Sequence, residues 1–410
     1  MFQDERKRPR EIAVHGSTPL WWAAAVIPAG CGALGLLFPR YLLRPPGEMG
    51  RLRMRHENNF DVLRHIAAIT VLVVHSFPLT GQSDPSASVF LYFGASGMAV
   101  DTFFFISGYL VTVSSIRRSA IEFVAARALR ILPALFFAVL FCLVLGLLCT
   151  TLPAWDYITH PATRGYLGNI YVFGLQFRLP GVFEGLPHAG VNGSIWTIPL
   201  EVAMYIVTLA LIMTRLNRSV WVYVVLAATF FGSFFVGVTQ FDLGWTNQGP
   251  AILPHVRPFT TLHYGFFYLA GAIFSFWRPK PSMWVVLLAI CLMVATVRTM
   301  PGFAIYFVVM PYLIYSLAFS GPFIKMPFGM DVSYGVYIYA FPIQQTIVHL
   351  FGAAIGPYWL TVTALPLTVV MAVLSWFLVE KKALALKDTV SGYLSSVQPT
   401  RPALDANEAG

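Results

Sequence analysis

The sequence predicts an all-α, polytopic membrane helix bundle, and three observations lead to this fold class. Of the 410 residues, 57% are hydrophobic and only 11% are charged, whereas a soluble domain carries about 25% charged residues. Apolar stretches recur along the chain, and most approach the roughly 20 residues with which a helix crosses a bilayer. The net charge of +9 comes from excess Lys and Arg, as is typical of cytoplasmic membrane loops, so it does not indicate nucleic-acid binding.

Ten apolar stretches are the predicted membrane-spanning helices. The loops after the even-numbered stretches hold twelve basic residues and the opposite loops hold four. This asymmetry assigns the richer side, together with the C-terminus, to the cytoplasm. The longest loop on the outer side, 153–193, is long enough to form a lid or an acceptor surface. The ten stretches lie near residues 62–79, 98–116, 131–152, 194–214, 219–238, 259–277, 283–297, 302–319, 332–350 and 359–379.

The N-terminal extension does not predict a single topology. Its apolar segment, 19–43, has basic residues on both flanks, so an eleventh span, an interfacial helix and a re-entrant segment all remain open. A further alternative is that translation starts at Met49 or Met54. Three units are therefore predicted: the extension at 1–56, a membrane domain at 57–388 and a polar tail at 389–410.

The first span contains ionisable residues, which are functional by default inside a membrane because they are costly to bury. Arg64 and His75 are eleven positions apart, which places them within about 20° of one helix face and about 16 Å apart along the axis. Asp61 lies one turn before Arg64, where it can form an ion pair. Interfacial anchoring of Asp61 and Arg64, with His75 in the headgroups, is the alternative.

Two acidic residues enter later spans. Asp101 lies near the depth assigned to His75, although a carboxylate that complements a helix dipole is the alternative. Glu201 is the deepest acidic residue, beside a kink predicted at Pro199, and His75 is its expected partner. Ser194 shares the helix face of Glu201.

The remaining candidates are less specific. Trp196 by itself is an ordinary residue of the aromatic belt. Arg127 and Arg130, three positions apart on one face at the cytoplasmic membrane edge, suit a di-anionic phosphate. On spacing alone, headgroup anchoring is favoured for this pair. Ser107 and Gly108 are expected to allow close helix packing.

These motifs, taken in order, resemble acyltransferase family 3, whose members are multi-span membrane O-acyltransferases. The resemblance covers about residues 57–390, and NNFDVLRHIA with the following HSF is similar to the subgroup linked to exopolysaccharide production. Two details depart from the family pattern: the gap from Ser194 to Trp196 is one residue shorter, and Lys381 stands in the usual E-r-P element. The matching elements are Arg64-x10-His75 after FDVLR, GMAVDTFFFISGYL, RALRILP, GSIWTIPLE, DVSYGVYIYAFPIQQ and SWFLVEKKALALK.

The resemblance implies transfer of an acyl group, expected to be acetyl, from cytoplasmic acyl-CoA to an extracytoplasmic polysaccharide or glycolipid hydroxyl. It implies a bacterial inner-membrane enzyme with no bound cofactor or metal. His75 would be the general base or accept the acyl group, Arg64 would face the same cavity, and Glu201 or Asp101 would orient His75. The binding residues implied are Arg127 and Arg130 for the phosphates of coenzyme A, and Ser194 and Trp196 for substrate.

Two other classes predict different features. A transporter, for instance a flippase for a lipid-linked saccharide, predicts inverted repeats and paired broken helices, and the two halves of the sequence show no such repeat. A signalling or structural membrane protein predicts that loss of His75 or Glu201 costs stability and leaves no chemical product missing.

Overall fold

Helices form the regular structure of the part of the chain that the computed structural model describes, residues 58–88, 94–240, 258–297, 299–324 and 330–386. The apolar segment 19–43, the alternative start sites and the tail 389–410 lie outside the described residues. The described α-helices are α1 (Phe60–Leu79), α2 (Ala95–Ser115), α3 (Ala120–Cys149), α4 (Ala154–Thr159), α5 (Pro161–Tyr166), α6 (Ile198–Met213), α7 (Val220–Gln240), α8 (Pro258–Trp277), α9 (Met283–Ala295), α10 (Met300–Phe319), α11 (Ser333–Phe351) and α12 (Gly356–Ser375).

Each of the ten predicted apolar stretches corresponds to one of the ten longer helices. Seven stretches in the described ranges are long and apolar enough to cross a membrane, whereas α9 has only 13 residues. The chain is therefore a multi-pass membrane protein. The count of ten crossings and the cytoplasmic C-terminus stay predictions. The seven stretches are Phe60–Leu79, Ala95–Ser115, Ala120–Cys149, Ser194–Met213, Val220–Thr239, Pro301–Phe319 and Ala353–Leu386.

Helix α3 begins earlier than its apolar stretch. Ser119 and Glu122 form a capping box, in which each side chain bonds the other residue's backbone N–H. With 30 residues, α3 is about 45 Å long, which exceeds the roughly 30 Å of hydrocarbon. Its first turns therefore extend beyond the apolar core. Arg127 and Arg130, expected in a cytoplasmic loop, lie within this helical extension.

Helices α2 and α8 approach closely through a reciprocal pair of glycines. A Cβ atom on Gly108 would lie 1.8 Å from the backbone oxygen of Tyr268, and one on Gly271 would lie 2.0 Å from the backbone oxygen of Phe105. No other residue fits at either position without separating the helices. The prediction that Gly108 allows close helix packing is confirmed.

The start of α6 differs from the prediction. A 3₁₀ turn, Ser194–Thr197, precedes the helix, and Pro199 lies in its first turn. At that position the missing N–H of proline breaks no helical hydrogen bond. The predicted kink at Pro199 is therefore wrong, and Glu201 also belongs to the first turn of α6.

The long segment 153–193 is a packed cap rather than an open loop. It contains α4, α5 and a 3₁₀ turn, Leu167–Tyr171. The hydroxyl of Tyr157 donates to the backbone oxygen of Leu143 on α3 at 2.9 Å. This bond, together with the one from Gln345 Nε2 to the backbone oxygen of His188, holds the segment against the helix bundle.

Candidate active site

A cavity of about 250 Å³ lies among α1, α2, α3, α6 and α11. It brings together four residues that the sequence predicted for the site: Arg64, Arg127, Arg130 and Glu201. Its walls also include several aromatic side chains, which gives the arginines a partly apolar surrounding. The further polar and aromatic side chains that line it are Ser107, Thr197, Tyr205, Ser333, Tyr334, Tyr337, Phe103 and Phe104.

Asp331 links two of these arginines, and sequence reasoning missed it. Its Oδ2 accepts from Arg64 Nη1 at 2.8 Å and from Arg130 Nη2 at 2.7 Å. Ser333 Oγ donates to the other carboxylate oxygen at 2.5 Å. We call Arg64, Arg127, Arg130 and Asp331 the arginine cluster. The available signal was the first letter of DVSYGVYIYAFPIQQ, an acidic residue directly before an apolar helix.

The charges around Asp331 also determine its protonation. Burial by itself raises the pKa of this carboxyl, but the positive charges of Arg130 and Arg64 outweigh burial and lower the pKa below its usual range. Asp331 is therefore ionised at neutral pH.

Arg64 has a second, weaker contact, with Asp61 at 3.3 Å, which confirms the predicted pair. Asp61 is 58% exposed, so this contact is the minor one.

Arg127 is the arginine of the cluster that has no ion pair among the described residues. Its Nε is buried without a hydrogen-bond partner there, and its guanidinium lies 5.6 Å from the centre of the Tyr205 ring. Three arginines and one carboxylate, that of Glu201, line the cavity, so its lining carries excess positive charge. An anion entering this cavity meets donors that the protein does not already use.

Glu201 lines the cavity, but its partners differ from the predicted one. Its carboxylate accepts from the hydroxyl of Tyr205, one turn further along α6, and from Ser107 Oγ at 3.5 Å. The expected pairing with His75 is not present. The predicted depth of Glu201 did not specify which neighbouring helix its face meets, and in the structure that face meets α2.

The prediction for Asp101 is also corrected, because its partners lie on α8 and α10 and His75 is not among them. Its Oδ1 lies 2.6 Å from His263 Nε2 on α8, and its Oδ2 accepts from the hydroxyl of Tyr306 on α10. We call Asp101, His263 and Tyr306 the closed cluster, since all three are fully buried. Asp101 and Gly108 are seven positions apart, within about 20° of one face, and that face packs on α8.

His75 lies further along α1 than Arg64 and does not line the cavity. Its ring packs edge-on against Phe341 of α11, with the ring centres 5.3 Å apart. His188, from the segment 153–193, packs against the same phenyl ring, also at 5.3 Å. His75 Nδ1 is buried and has no hydrogen-bond partner in the described ranges. The hydrogen-bonding capacity of this nitrogen is therefore not used by the described residues.

His188 is neutral at physiological pH. Burial lowers the pKa of its imidazole, and the charge of Arg178 lowers it further. The backbone N–H of Gly190 donates to His188 Nδ1 at 3.1 Å, which requires that this nitrogen carry no proton. The proton of the neutral ring is then on Nε2.

Ser194 and Trp196, the two residues predicted to bind substrate, do not line the cavity. Ser194 is fully buried, and its Oγ has no partner among the described residues. The ring of Trp196 packs on Tyr264 with the centres 5.7 Å apart. Their roles stay predictions. Among all the residues that the structure describes, no three His, Cys, Asp or Glu side chains are grouped so that they could hold a metal ion.

Fold and site together define a multi-pass α-helical membrane protein with an arginine-lined cavity. Further along α1 lies a histidine whose buried Nδ1 has no partner among the described residues. The model of acyltransferase family 3, described as an acyltransferase domain, matches residues 57–381. The chain belongs to this family, which confirms the resemblance seen in its motifs.

Two related proteins agree with this assignment. The O-acetyl transferase of Shigella phage Sf6 is 31% identical over 343 residues, which cover 81% of this chain and 97% of the phage protein. Nodulation protein 10 of Rhizobium leguminosarum bv. viciae is 29% identical over 366 residues, which cover 82% of this chain and 95% of that protein. No solved structure matches the chain. The chain is therefore an O-acyltransferase.

Proposed function

We propose that this enzyme transfers an acyl group, acetyl in the first instance, from cytoplasmic acyl-CoA to a hydroxyl of an extracytoplasmic polysaccharide or glycolipid. Its place would be the inner membrane of a bacterium. The observation that carries the proposal is a cavity lined by three arginines and one carboxylate. One of these arginines, Arg64, lies on the same helix as His75. One helix thus connects a site for an anionic donor with a base about 16 Å away along the axis.

The arginine cluster is the proposed site for the phosphates of coenzyme A. Arg127 supplies an Nε–H donor that no described residue uses. Asp331 holds Arg64 and Arg130 so that their guanidinium groups face the cavity in fixed positions. Phosphate carries more charge than one carboxylate and offers several acceptor oxygens. The aromatic walls formed by Phe103 and Tyr337 suit the less polar pantetheine arm.

His75 is the proposed general base, with transient acyl transfer to its ring as the alternative. In the direct route a ring nitrogen takes the proton of the acceptor hydroxyl while that oxygen attacks the thioester carbonyl carbon. A C–O bond forms, the C–S bond breaks, and the thiolate of coenzyme A leaves and takes up the proton from the imidazolium. The products are an ester on the acceptor and free coenzyme A.

One relative supports the choice of acyl group, and one sequence motif supports the choice of acceptor. The phage protein is named an O-acetyl transferase, which favours acetyl as the group transferred. The opening motif NNFDVLRHIA resembles the exopolysaccharide-linked subgroup, which favours a saccharide acceptor. Segment 153–193 brings His188 to the side of His75, where an acceptor hydroxyl has to arrive.

Comparative mass spectrometry of surface polysaccharide and lipid tests the proposal. Wild-type cells should carry an ester-linked mass increment that a null strain and a strain with His75→Ala both lack. His349→Ala is the matched control, because His349 is exposed at the end of α11 and should leave the increment unchanged. A full increment in His75→Ala, with normal amounts of protein in the membrane, would refute the assignment.

A further inference from the structure

Phe341 lies on α11, the helix that lines the donor cavity through Tyr334 and Tyr337, and its ring packs against His75. Along α11, Tyr334 and Tyr337 line the cavity, and Phe341 follows Tyr337 by one turn, about 6 Å. Its ring is 5% exposed and contacts His75. Neither Phe341 nor His75 borders the cavity itself. Phe341 is therefore one turn beyond the cavity lining and in direct contact with His75.

The surroundings of the ring fix its position. A Cβ atom on Gly193 would lie 2.6 Å from the ring of Phe341, so the absence of a side chain there is what lets the ring occupy this place. Asn192 Nδ2 donates to the backbone oxygen of Ile338 at 2.9 Å, which holds the turn before Gly193 against α11.

The two histidines that pack on the ring, His75 and His188, are held against the same helix as Phe341. Gln344 Nε2 donates to the backbone oxygen of Leu72 at 2.8 Å, which holds the His75 end of α1 against α11. Gln345 Nε2 donates to the backbone oxygens of His188 and Gly190, each at 2.6 Å. Because both histidines that pack on the ring are anchored to α11, their positions relative to Phe341 are fixed by the fold.

We infer that Phe341 determines which acyl groups the enzyme accepts, by limiting the size of the group that reaches His75. This inference rests on the proposed function, because it requires a donor in the cavity and acceptance of the acyl carbon near His75. A small acyl group fits beside a fixed aromatic ring, whereas each added methylene has to displace it. One methylene in a shaped apolar pocket changes selectivity by about 10–200-fold.

Acyl-chain competition in membrane vesicles tests this inference. Inverted vesicles from a null strain that carries the wild-type gene or a variant retain the endogenous acceptor and expose the cytoplasmic face. They receive acetyl-CoA, propionyl-CoA and butyryl-CoA in equal amounts, and mass spectrometry counts each ester on the saccharide and lipid fractions. The variants are Phe341→Ala and Phe341→Leu. Phe351→Ala is the matched control, since Phe351 is on the same helix and 71% exposed.

The butyryl-to-acetyl ratio should rise about tenfold or more in Phe341→Ala, rise less in Phe341→Leu, and stay at the wild-type value in Phe351→Ala. The ratio is internal to each sample, so a lower amount of folded protein does not change it. An unchanged ratio in both Phe341 variants, or an equal loss of all three esters, overturns the inference. Failure of the proposed function looks different, because wild-type vesicles then form no ester from any of the three donors.

Discussion

The arginine cluster and the closed cluster are two groups of charged and polar side chains in one helix bundle, and they differ in their access to space. Arg64 and Arg130 border a cavity. These two arginines and their partner Asp331 keep 15–21% of their side-chain surface exposed. Asp101 and His263, in contrast, are 0% exposed and meet each other at 2.6 Å. Because charged side chains are costly to bury in a membrane, the sequence made one residue a candidate in each region, Arg64 in the first and Asp101 in the second. Only the first can receive a ligand.

The closed cluster is therefore better understood as a connection between helices. Asp101 on α2 contacts His263 on α8 and Tyr306 on α10. It is on the face of α2 that Gly108 brings close to α8, about 10 Å along the axis from that glycine. A buried polar group whose hydrogen bonds are satisfied inside a bundle specifies which helix faces meet. An ionisable residue in a membrane helix therefore indicates either a functional site or a contact that holds helices together. A cavity beside the residue favours the first role, and complete burial among other side chains favours the second.

The largest effect is expected for Asp101→Ala. Removing one partner of a buried pair costs about 3–5 kcal/mol, since the other partner stays buried, so this variant should accumulate poorly and unfold at lower temperature. Asp101→Asn, which keeps the shape, should lose less. Thermal unfolding of the detergent-solubilised protein measures both. If Asp101→Ala unfolds like the wild type but transfers no acyl group, the closed cluster takes part in the chemistry and the comparison is broken.

The next largest effect is expected for Arg127→Ala, on donor binding. A hydrogen bond to a charged group contributes about 1.5–3 kcal/mol, so the KM for acetyl-CoA should rise by roughly 10–150-fold, with little change in unfolding temperature. Release of the coenzyme A thiol from membrane vesicles gives the KM. Arg164→Ala is the control, because Arg164 is exposed on segment 153–193. An unchanged KM in Arg127→Ala would exclude Arg127 from the donor site.

A smaller effect is expected for Asp331→Asn, because Asp331 acts by positioning Arg64 and Arg130. Loss of about 1 kcal/mol raises the KM for acetyl-CoA about fivefold, while kcat stays near the wild-type value. Asp331→Glu should restore part of the loss. A fall in kcat with an unchanged KM would show that Asp331 does not act through donor binding.

The pKa of Asp331 also predicts how this effect depends on pH. Folding lowers the pKa, so the stabilisation by its ionised form is present above the unfolded value of about 3.9 and disappears as pH falls through the folded value. Between about pH 6 and pH 8 the carboxylate is always charged. The KM ratio of Asp331→Asn to wild type should therefore be constant over that range, and a ratio that changes tenfold would contradict the assignment.

The smallest effect is expected for Asp61→Ala. Asp61 makes the longer contact with Arg64, 3.3 Å, and is 58% exposed, so its removal should change binding by less than about 0.5 kcal/mol. In KM terms this is about twofold. Asp61 and Asp331 are thus matched carboxylates on the same arginine. A KM change in Asp61→Ala as large as that in Asp331→Asn would show that the cavity does not distinguish them.

The sequence by itself determined the membrane class, the approximate position of ten helices and the shared helix face of Arg64 and His75. These follow from composition and from the 3.6-residue period, which are local properties of the chain. The pairing of Arg127 and Arg130 on one face is local in the same sense. The family motifs grouped Arg64, Arg127, Arg130 and Glu201, which line one cavity, but they also included Asp101, which lies in the closed cluster.

Only the tertiary structure decided which faces meet. Asp331 is 267 positions from Arg64, and Asp101 is 162 positions from His263, so no local period relates either pair. Because lipid is as apolar as the helices, hydrophobicity does not choose between neighbours inside a membrane. Close approach at Gly108 and Gly271, and hydrogen bonds such as those of Asp101, make that choice.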